Sequence, residues 1–204
     1  MIASDQQAPR VGSAKLIVDG ADTTLVRKAE ISLGASRVQA RSLNQLLHLS
    51  REIYNGALQH RRDAWLMTKN SSSPTSISRF DQFNEIKELR EVCPTIGRFG
   101  TRPVRGAISR VDEAYGAFFR RVKAGQTPGY PRFKSRDRFR TIFYDEPRGW
   151  ALRGVAVRPP GIGGRPAKGV PLALYVQGVG DIPLGKAAVR QFRRLLARGG
   201  ELGP

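Results

Sequence analysis

Two long segments of the sequence carry an apolar residue at every third or fourth position, and this pattern limits the fold more than any other feature. Residues 36–67 begin with Ser36, an expected N-cap, and the second segment begins at Thr101, with Pro103 in its first turn. Apolar side chains with a period of about 3.6 residues lie on one face of an α-helix, and that face is normally buried. The more regular stripe is that of the second segment: Val104, Ala107, Ile108, Val111, Ala114, Tyr115, Phe118, Phe119 and Val122. We therefore predict two long core helices.

A shorter segment between them predicts a third helix. Ser78 and Asp81 have the spacing of a capping box, and apolar residues follow with a helical period. Pro94 has no backbone N–H to donate, so we expect it to end this helix. Three amphipathic helices predict a small bundle over residues 36–127.

The sequence on either side of this helical region is typical of strands and loops. Residues 158–169 contain too much proline and glycine for a helix or a ladder, and we expect a flexible connection there. Residues 1–24 have no sustained period and are expected to be a flexible leader, compatible with a short strand at 15–18. Residues 186–198 are compatible with a last amphipathic helix. The predicted strands are residues 25–33, 150–157 and 170–177. The class is therefore α+β.

The segment of residues 128–144 concentrates positive charge and aromatic rings. Its cations fall within nine residues and are opposed only by Asp137; they are Arg132, Lys134, Arg136, Arg138 and Arg140. Its rings are Tyr130, Phe133, Phe139, Phe143 and Tyr144. Guanidinium and ammonium groups neutralise phosphates, and aromatic faces stack on unpaired bases. The alternative interpretation is a solvated basic loop whose rings anchor it to a core.

The alternation of arginines in this segment carries a structural prediction. Strand side chains repeat every second residue, so Arg136, Arg138 and Arg140 would project from one face of an extended segment.

The net charge of the chain favours a polyanionic partner. Lysine and arginine exceed the acidic residues by 35 − 17 = 18. Residues 1–34 are balanced at 4 − 4, whereas residues 35–127 carry 16 − 8 = +8 and residues 128–204 carry 15 − 5 = +10. A compact chain with this excess repels itself, and nucleic acid is the natural counterweight.

Other features of the composition bear on the compartment. Cys93 is the only cysteine, so an intramolecular disulfide is excluded. The sequence has no apolar run of about 18 residues and no secretory leader pattern. We therefore expect a cytoplasmic protein with no membrane partner.

Three segments resemble, in order and spacing, motifs of the TnpB/OrfB family. These proteins are transposon-encoded, RNA-guided nucleases related to type V CRISPR effectors. YPRFKSR at residues 130–136, followed by RTIFY at 140–144, resembles the PrFKsr signature of the family and a short β-rich run after it. REIYNGAL at 51–58 and VDEAYGAFFR at 111–120 resemble its earlier helices. The resemblance covers residues 28–185.

The resemblance implies a small, discontinuous, wedge-like β-barrel built from residues 25–35 and 128–185, with an inserted three-helix recognition lobe at 36–127. Residues 186–204 would then be a divergent basic tail. Such lobes hold a guide RNA and its heteroduplex with target DNA through backbone and shape, while base pairing reads the sequence. The nucleic-acid-binding residues expected from the resemblance and the charge pattern are Tyr54, Asn55, Arg121, Tyr130, Arg132, Phe133, Lys134, Arg136, Arg138 and Arg140. For Asn55, a solvated amide is the alternative to the positioning or nucleic-acid-binding role that the resemblance implies.

The resemblance also implies an RNase H-like nuclease domain, whose acidic triad would hold two divalent metals. No segment of the sequence resembles the strand that carries the first of these acids, and a single cysteine cannot supply the family's four-cysteine zinc element. We therefore expect a TnpB-like chain that lacks the nuclease domain, holds no metal or cofactor, and binds guide RNA and target DNA without cutting them.

Two alternatives stay open. One is a general RNA- or DNA-binding protein with no link to transposition, which the charge alone would support. The other is one half of a split guided nuclease, completed by a separately encoded nuclease domain.

Overall fold

The computed structural model of the chain describes residues 14–16, 29–31, 33–144, 148–156, 165–166, 172–187 and 189–190. The chain divides into two compact units. We call residues 41–149 the helical unit, and residues 1–40 together with 150–204 the strand unit. The combination of helices with antiparallel strands confirms the predicted α+β class.

Two long helices and three short ones are described between residues 37 and 123. Their bounds are α1 Arg37–Thr68, α2 Arg79–Asn84, α3 Ile86–Val92, α4 Pro94–Phe99 and α5 Arg102–Lys123. The long helices α1 and α5 correspond to the two striped segments of the sequence. Ser36 caps α1 as predicted, because its Oγ accepts from the backbone N–H of Gln39 at 3.3 Å. The side chain of Gln39 accepts in return from the backbone N–H of Ser36 at 3.0 Å.

The region between the long helices differs from the prediction. Ser78 and Asp81 form the expected capping box, but the helix that follows is divided at Glu85 into α2 and α3. The helix before Pro94 ends as predicted, since α3 stops at Val92, but Pro94 is also the first residue of a further helix, α4, where a missing N–H costs nothing. Thr101 precedes α5 without a side-chain capping bond.

Side-chain hydrogen bonds connect α1 with α4 and with α5. Near the start of α1, Arg98 of α4 donates from Nη2 to the Oγ of Ser42 at 2.8 Å. Further along, Arg61 of α1 donates from Nη1 to the Oδ1 of Asp112 in α5 at 3.0 Å. The core between these points includes Tyr54, Leu58, Ala107 and Val111.

The apolar stripes extend beyond this core. Val38 at the start of α1 and Trp65 near its end are exposed, and so are Phe119 and Val122 in the last part of α5. The prediction that the whole stripe of α5 is core is therefore wrong at its C-terminal end. The helical period predicts which side chains share a face, but a side chain on that face is buried only where another element packs against that part of the helix.

The strand unit contains short antiparallel pairs. The described strands are β1 Ala14–Leu16, β2 Ala29–Ile31, β3 Trp150–Arg153, β4 Val155–Ala156, β5 Arg165–Pro166, β6 Ala173–Val176 and β7 Gly180–Pro183. They pair as β1–β2, β4–β5 and a three-stranded sheet ordered β3–β6–β7. In that sheet Trp150 lies opposite Val176, and Leu174 lies opposite Ile182. Among the described strands these pairs do not close into a barrel.

Residues 128–144 belong to the helical unit, although the resemblance assigns them to the barrel. No strand forms at residues 140–144, so the expected β-rich run is absent there. The backbone of Phe143 lies against Gly106 of α5 instead, and none of the described strands pairs with residues 140–144.

The ends of the chain are described only in part. Residues 186–187 and 189–190 are helical, and the rest of the predicted helix at 186–198 lies outside the described residues. The same is true of the leader apart from β1, and of most of the connection at 158–169. None of the described helices combines the length and the apolar character that crossing a membrane would require.

Candidate nucleic-acid interface

One side chain of α1 hydrogen-bonds the backbone of the basic segment, residues 128–144. Asn55 donates from Nδ2 to the carbonyl oxygen of Lys134 at 3.0 Å, and its Oδ1 accepts from the backbone N–H of Lys134 at 2.9 Å. A side-chain amide has one donor side and one acceptor side, so it can pair with the C=O and the N–H of a single residue, as a neighbouring strand would. Asn55 is therefore a positioning residue, because both ends of its amide are already occupied by protein.

The neighbouring residue, Tyr54, does not reach the surface. Its ring is buried among core side chains, and burial raises its pKa above the ordinary value. The ring of Phe139 packs on it with a centroid separation of 5.8 Å. The expectation that Tyr54 contacts nucleic acid is therefore wrong; it anchors the basic segment to the core.

The end of the basic segment lies directly on α5. A Cβ built on Gly106 would be 2.0 Å from the carbonyl oxygen of Phe143 and 2.8 Å from its carbonyl carbon. Only glycine permits this approach of two backbones. The guanidinium of Arg110 lies 5.4 Å from the centre of the Phe143 ring and covers it.

The start of the segment is attached to α5 through aromatic residues. The hydroxyls of Tyr115 and Tyr130 share a hydrogen bond at 2.7 Å, and their rings meet edge to face at 5.7 Å. Burial, followed by this hydrogen bond, raises the pKa of Tyr115 well above its ordinary value. Tyr130 also contacts Phe118 edge-on at 5.5 Å. The ring of Tyr130 is thus held by α5 and remains partly exposed to solvent.

The arginines in the middle of the segment do not share the face of an extended strand. The carbonyl oxygen of Ser135 accepts from the backbone N–H groups of both Arg138 and Phe139, at 3.2 and 3.1 Å. These bonds bend residues 135–139 into a turn. Arg140 then donates from Nε to the carbonyl oxygen of Asp137 at 2.7 Å. The predicted alternation is wrong because local hydrogen bonds override the two-residue pattern.

The basic segment nevertheless presents its charges to solvent. Arg132, Arg136, Arg138 and Arg140 are all exposed, and none has an ion pair to a described residue. Lys134 is half-buried beside Asn55. The ring of Phe133 is 43% exposed, so it lies at the surface and not in a barrel core. Within this segment, cations and a free aromatic face are therefore accessible together.

Arg121 extends the same charge along α5. It lies in the last turn of the helix with Arg120 and Lys123, and all three are exposed. Basic residues at a helix C-terminus also favour the helix dipole, so their presence alone does not require a ligand.

Three residues of the site were not expected from the sequence to have a role. Tyr115 and Phe118 position Tyr130, and Gly106 admits Phe143. The first two lie in the apolar stripe of α5, which indicates burial and gives no sign of a specific partner. A glycine within a helical stripe is the one available signal, because it is costly there unless something packs against it.

The described residues contain no group of three or more histidine, cysteine, aspartate or glutamate side chains that could hold a metal ion. A search against models of protein families finds no match for this chain, and a search of curated proteins finds none either.

Proposed function

We propose that the chain binds nucleic acid through the basic segment, as the non-cleaving, guide-binding part of a TnpB-like protein. The main support for the proposal is the exposure of the arginines in the basic segment. Arg132, Arg136 and Arg138 are exposed and have no ion pair to a described residue, although Asn55 holds the segment that bears them in a fixed position. A polyanionic ligand would neutralise these cations, which no described acidic side chain does.

The proposal includes the elements that the resemblance implies. The strands of the strand unit would contribute to a wedge-like barrel, and the helices would form the recognition lobe for a guide RNA and its target DNA, in a cytoplasmic setting. The expected absence of cleavage rests on the sequence, which has no carboxylate constellation of the kind that two-metal hydrolysis needs.

The salt dependence of binding tests the assignment of the ligand to the turn. We expect the affinity for RNA to fall steeply with salt, and the double variant Arg136→Gln/Arg138→Gln to reduce the log–log slope by about 1.5. The matched control is Arg79→Gln/Arg90→Gln, which removes the same charge from exposed positions of α2 and α3. An equal loss of slope in both variants would mean that net charge, and not this segment, provides the binding.

Cleavage is tested separately. We expect no degradation of RNA or DNA in Mg²⁺ or Mn²⁺, with or without a guide. Asp181 lies in β7 and pairs with Arg153 at 2.9 Å. Metal-dependent cleavage that persists through purification and disappears in Asp181→Asn would contradict a purely binding role.

The two other functions make different predictions. A general nucleic-acid-binding protein should bind structured RNAs of unrelated sequence equally well. One half of a split nuclease requires a reading frame downstream in the genome that encodes the acidic triad. The exposed arginines are compatible with all three functions, and the resemblance favours the guide-binding one.

A further inference from the structure

Four aromatic rings meet where the start of the basic segment touches α5. The ring of Tyr115 stacks on that of Phe119 at 6.3 Å, with 23° between the planes. Phe118 meets both Phe119 and Tyr130 edge to face, at 5.2 and 5.5 Å. We call Tyr115, Phe118, Phe119 and Tyr130 the aromatic cluster.

Two rings of the aromatic cluster remain at the surface. Phe119 is 55% exposed and Tyr130 is 42% exposed, although exposed aromatic area is unfavourable in water. Contacts with Tyr115 and Phe118 hold Phe119 and Tyr130 in place. These contacts do not explain why the two rings are exposed to solvent.

The charge around the aromatic cluster indicates what would cover it. Residues 119–140 contain eight basic residues and one acidic residue, a net charge of 8 − 1 = +7. Arg120, Arg121 and Lys123 are exposed next to Phe119 in the sequence and have no ion pair to a described residue. An apolar protein partner would have to bury these charges, whereas a nucleic acid would neutralise them.

We propose that the aromatic cluster binds unpaired nucleotides, with bases stacking on Phe119 and Tyr130 while Arg120, Arg121 and Lys123 contact the adjoining phosphates. In a duplex both faces of a base are covered by its neighbours, so only a single-stranded stretch offers a face to a side chain. The inference rests on the proposed function and narrows it, because it assigns unpaired nucleotides to the aromatic cluster and the cations beside it, and leaves the backbone of paired strands to the turn.

The cluster is held in place before any ligand arrives. Tyr130 is fixed by its hydrogen bond to Tyr115, and the guanidinium of the buried Arg61 lies 5.8 Å from the centre of the Tyr115 ring. Rings that are already ordered lose little conformational entropy when a base stacks on them.

The experiment compares a labelled single-stranded RNA with a blunt duplex of the same sequence, over a series of salt concentrations. Phe119→Leu keeps an apolar side chain and removes the flat face. We expect it to weaken binding of the single strand by about five- to 150-fold, with an unchanged salt slope and little effect on the duplex. The control is Phe80→Leu, since Phe80 is also an exposed ring (61%) that contacts another ring, Phe83, and an arginine, Arg79.

A second readout locates the contact directly. Ultraviolet cross-linking of the single strand to the wild-type protein should attach nucleotides to the tryptic peptides 111–120 and 124–132, which contain the cluster, and not to 80–87, which contains Phe80. Equal weakening of single strand and duplex in Phe119→Leu, or cross-links confined to other peptides, would overturn the inference. Wild-type protein that binds neither ligand would instead overturn the proposed function.

Discussion

The side-chain amide of Asn55 is hydrogen-bonded at both ends to the backbone of Lys134, 79 residues further along the chain. Asn55→Asp replaces the donor by an oxygen that faces the carbonyl oxygen of Lys134. We expect the free energy of unfolding to fall by about 1–3 kcal/mol, because a partly buried carbonyl loses its donor and gains a like partial charge. Urea denaturation measures the loss, and faster hydrogen exchange at the Lys134 amide shows where it occurs.

The control for this variant is Gln59→Glu, on the same helix. It makes the same change from amide to carboxylate, but the bond of Gln59 to Asp63 lies at the surface. We expect a change within about 0.5 kcal/mol. If both variants were equally destabilised, added charge on α1 would explain the effect and the contact with Lys134 would not.

Gly106→Ala should be severely destabilising, which is the reverse of the usual effect within a helix. The added methyl would overlap the backbone of Phe143, and backbone cannot move aside as a flexible side chain can. We expect a loss of at least about 2 kcal/mol by thermal or urea unfolding. Gly56→Ala in α1 meets no described heavy atom within 4 Å and should stabilise the protein by about 0.5–1 kcal/mol. Similar effects of the two variants would mean that residue 143 does not lie against α5.

Two adjacent acids on α5 should differ in their importance. Asp112 pairs at 3.0 Å with Arg61, whose side chain is only 8% exposed, whereas Glu113 pairs at 4.0 Å with the exposed Arg110. Asp112→Ala leaves a buried guanidinium with fewer acceptors, and we expect a loss of about 1–3 kcal/mol. Glu113→Ala should stay within about 0.5 kcal/mol of wild type. Urea denaturation of both variants checks the comparison, and equal losses would contradict it.

Tyr144 predicts a dependence of stability on alkaline pH. Burial raises its pKa to about 12, from an ordinary value of 10.0, and its hydroxyl has no hydrogen-bond partner among the described residues. The folded state therefore keeps its proton after the unfolded chain has lost it. Consequently the free energy of unfolding falls as the pH rises from about 10 to about 12.

Tyr144→Phe removes both the ionisation and the unsatisfied hydroxyl. We expect the variant to be more stable than wild type by about 1 kcal/mol near neutral pH, and to lose less stability as the pH is raised. Burial also raises the pKa of Tyr54 and that of Tyr115, so part of the alkaline loss should remain. Thermal unfolding at a series of pH values measures both effects. Parallel profiles for variant and wild type would contradict the assignment to Tyr144.

The parts of the fold that depend on local sequence could be predicted. The caps at Ser36 and Ser78 involve partners three residues away, and α1 and α5 follow from periodicity alone. The start of α4 at Pro94 could not be predicted, since proline is equally compatible with the end of one helix and the first turn of the next.

The candidate site was less predictable because its contacts are distant in sequence. Tyr54 and Asn55 are neighbours on one helix, yet one is core and the other holds a loop, and no local pattern separates them. The turn at Ser135 is formed by local hydrogen bonds. The alternating arginines of the same residues are equally compatible with an extended strand, so the sequence does not distinguish the two conformations. The sequence thus indicates the charge of the segment and leaves its course to tertiary contacts.

The contacts that shape the basic segment have a consequence for engineering. Its path is set by Asn55, by Gly106 and by the rings of Tyr130 and Phe139. Among the guanidinium groups of its exposed arginines, only that of Arg140 makes a described hydrogen bond within the protein. The residues that fix the backbone conformation are therefore different from those that would contact a ligand. The exposed arginines could be replaced by side chains that suit another ligand without changing the backbone, so the segment is a suitable position for a designed library.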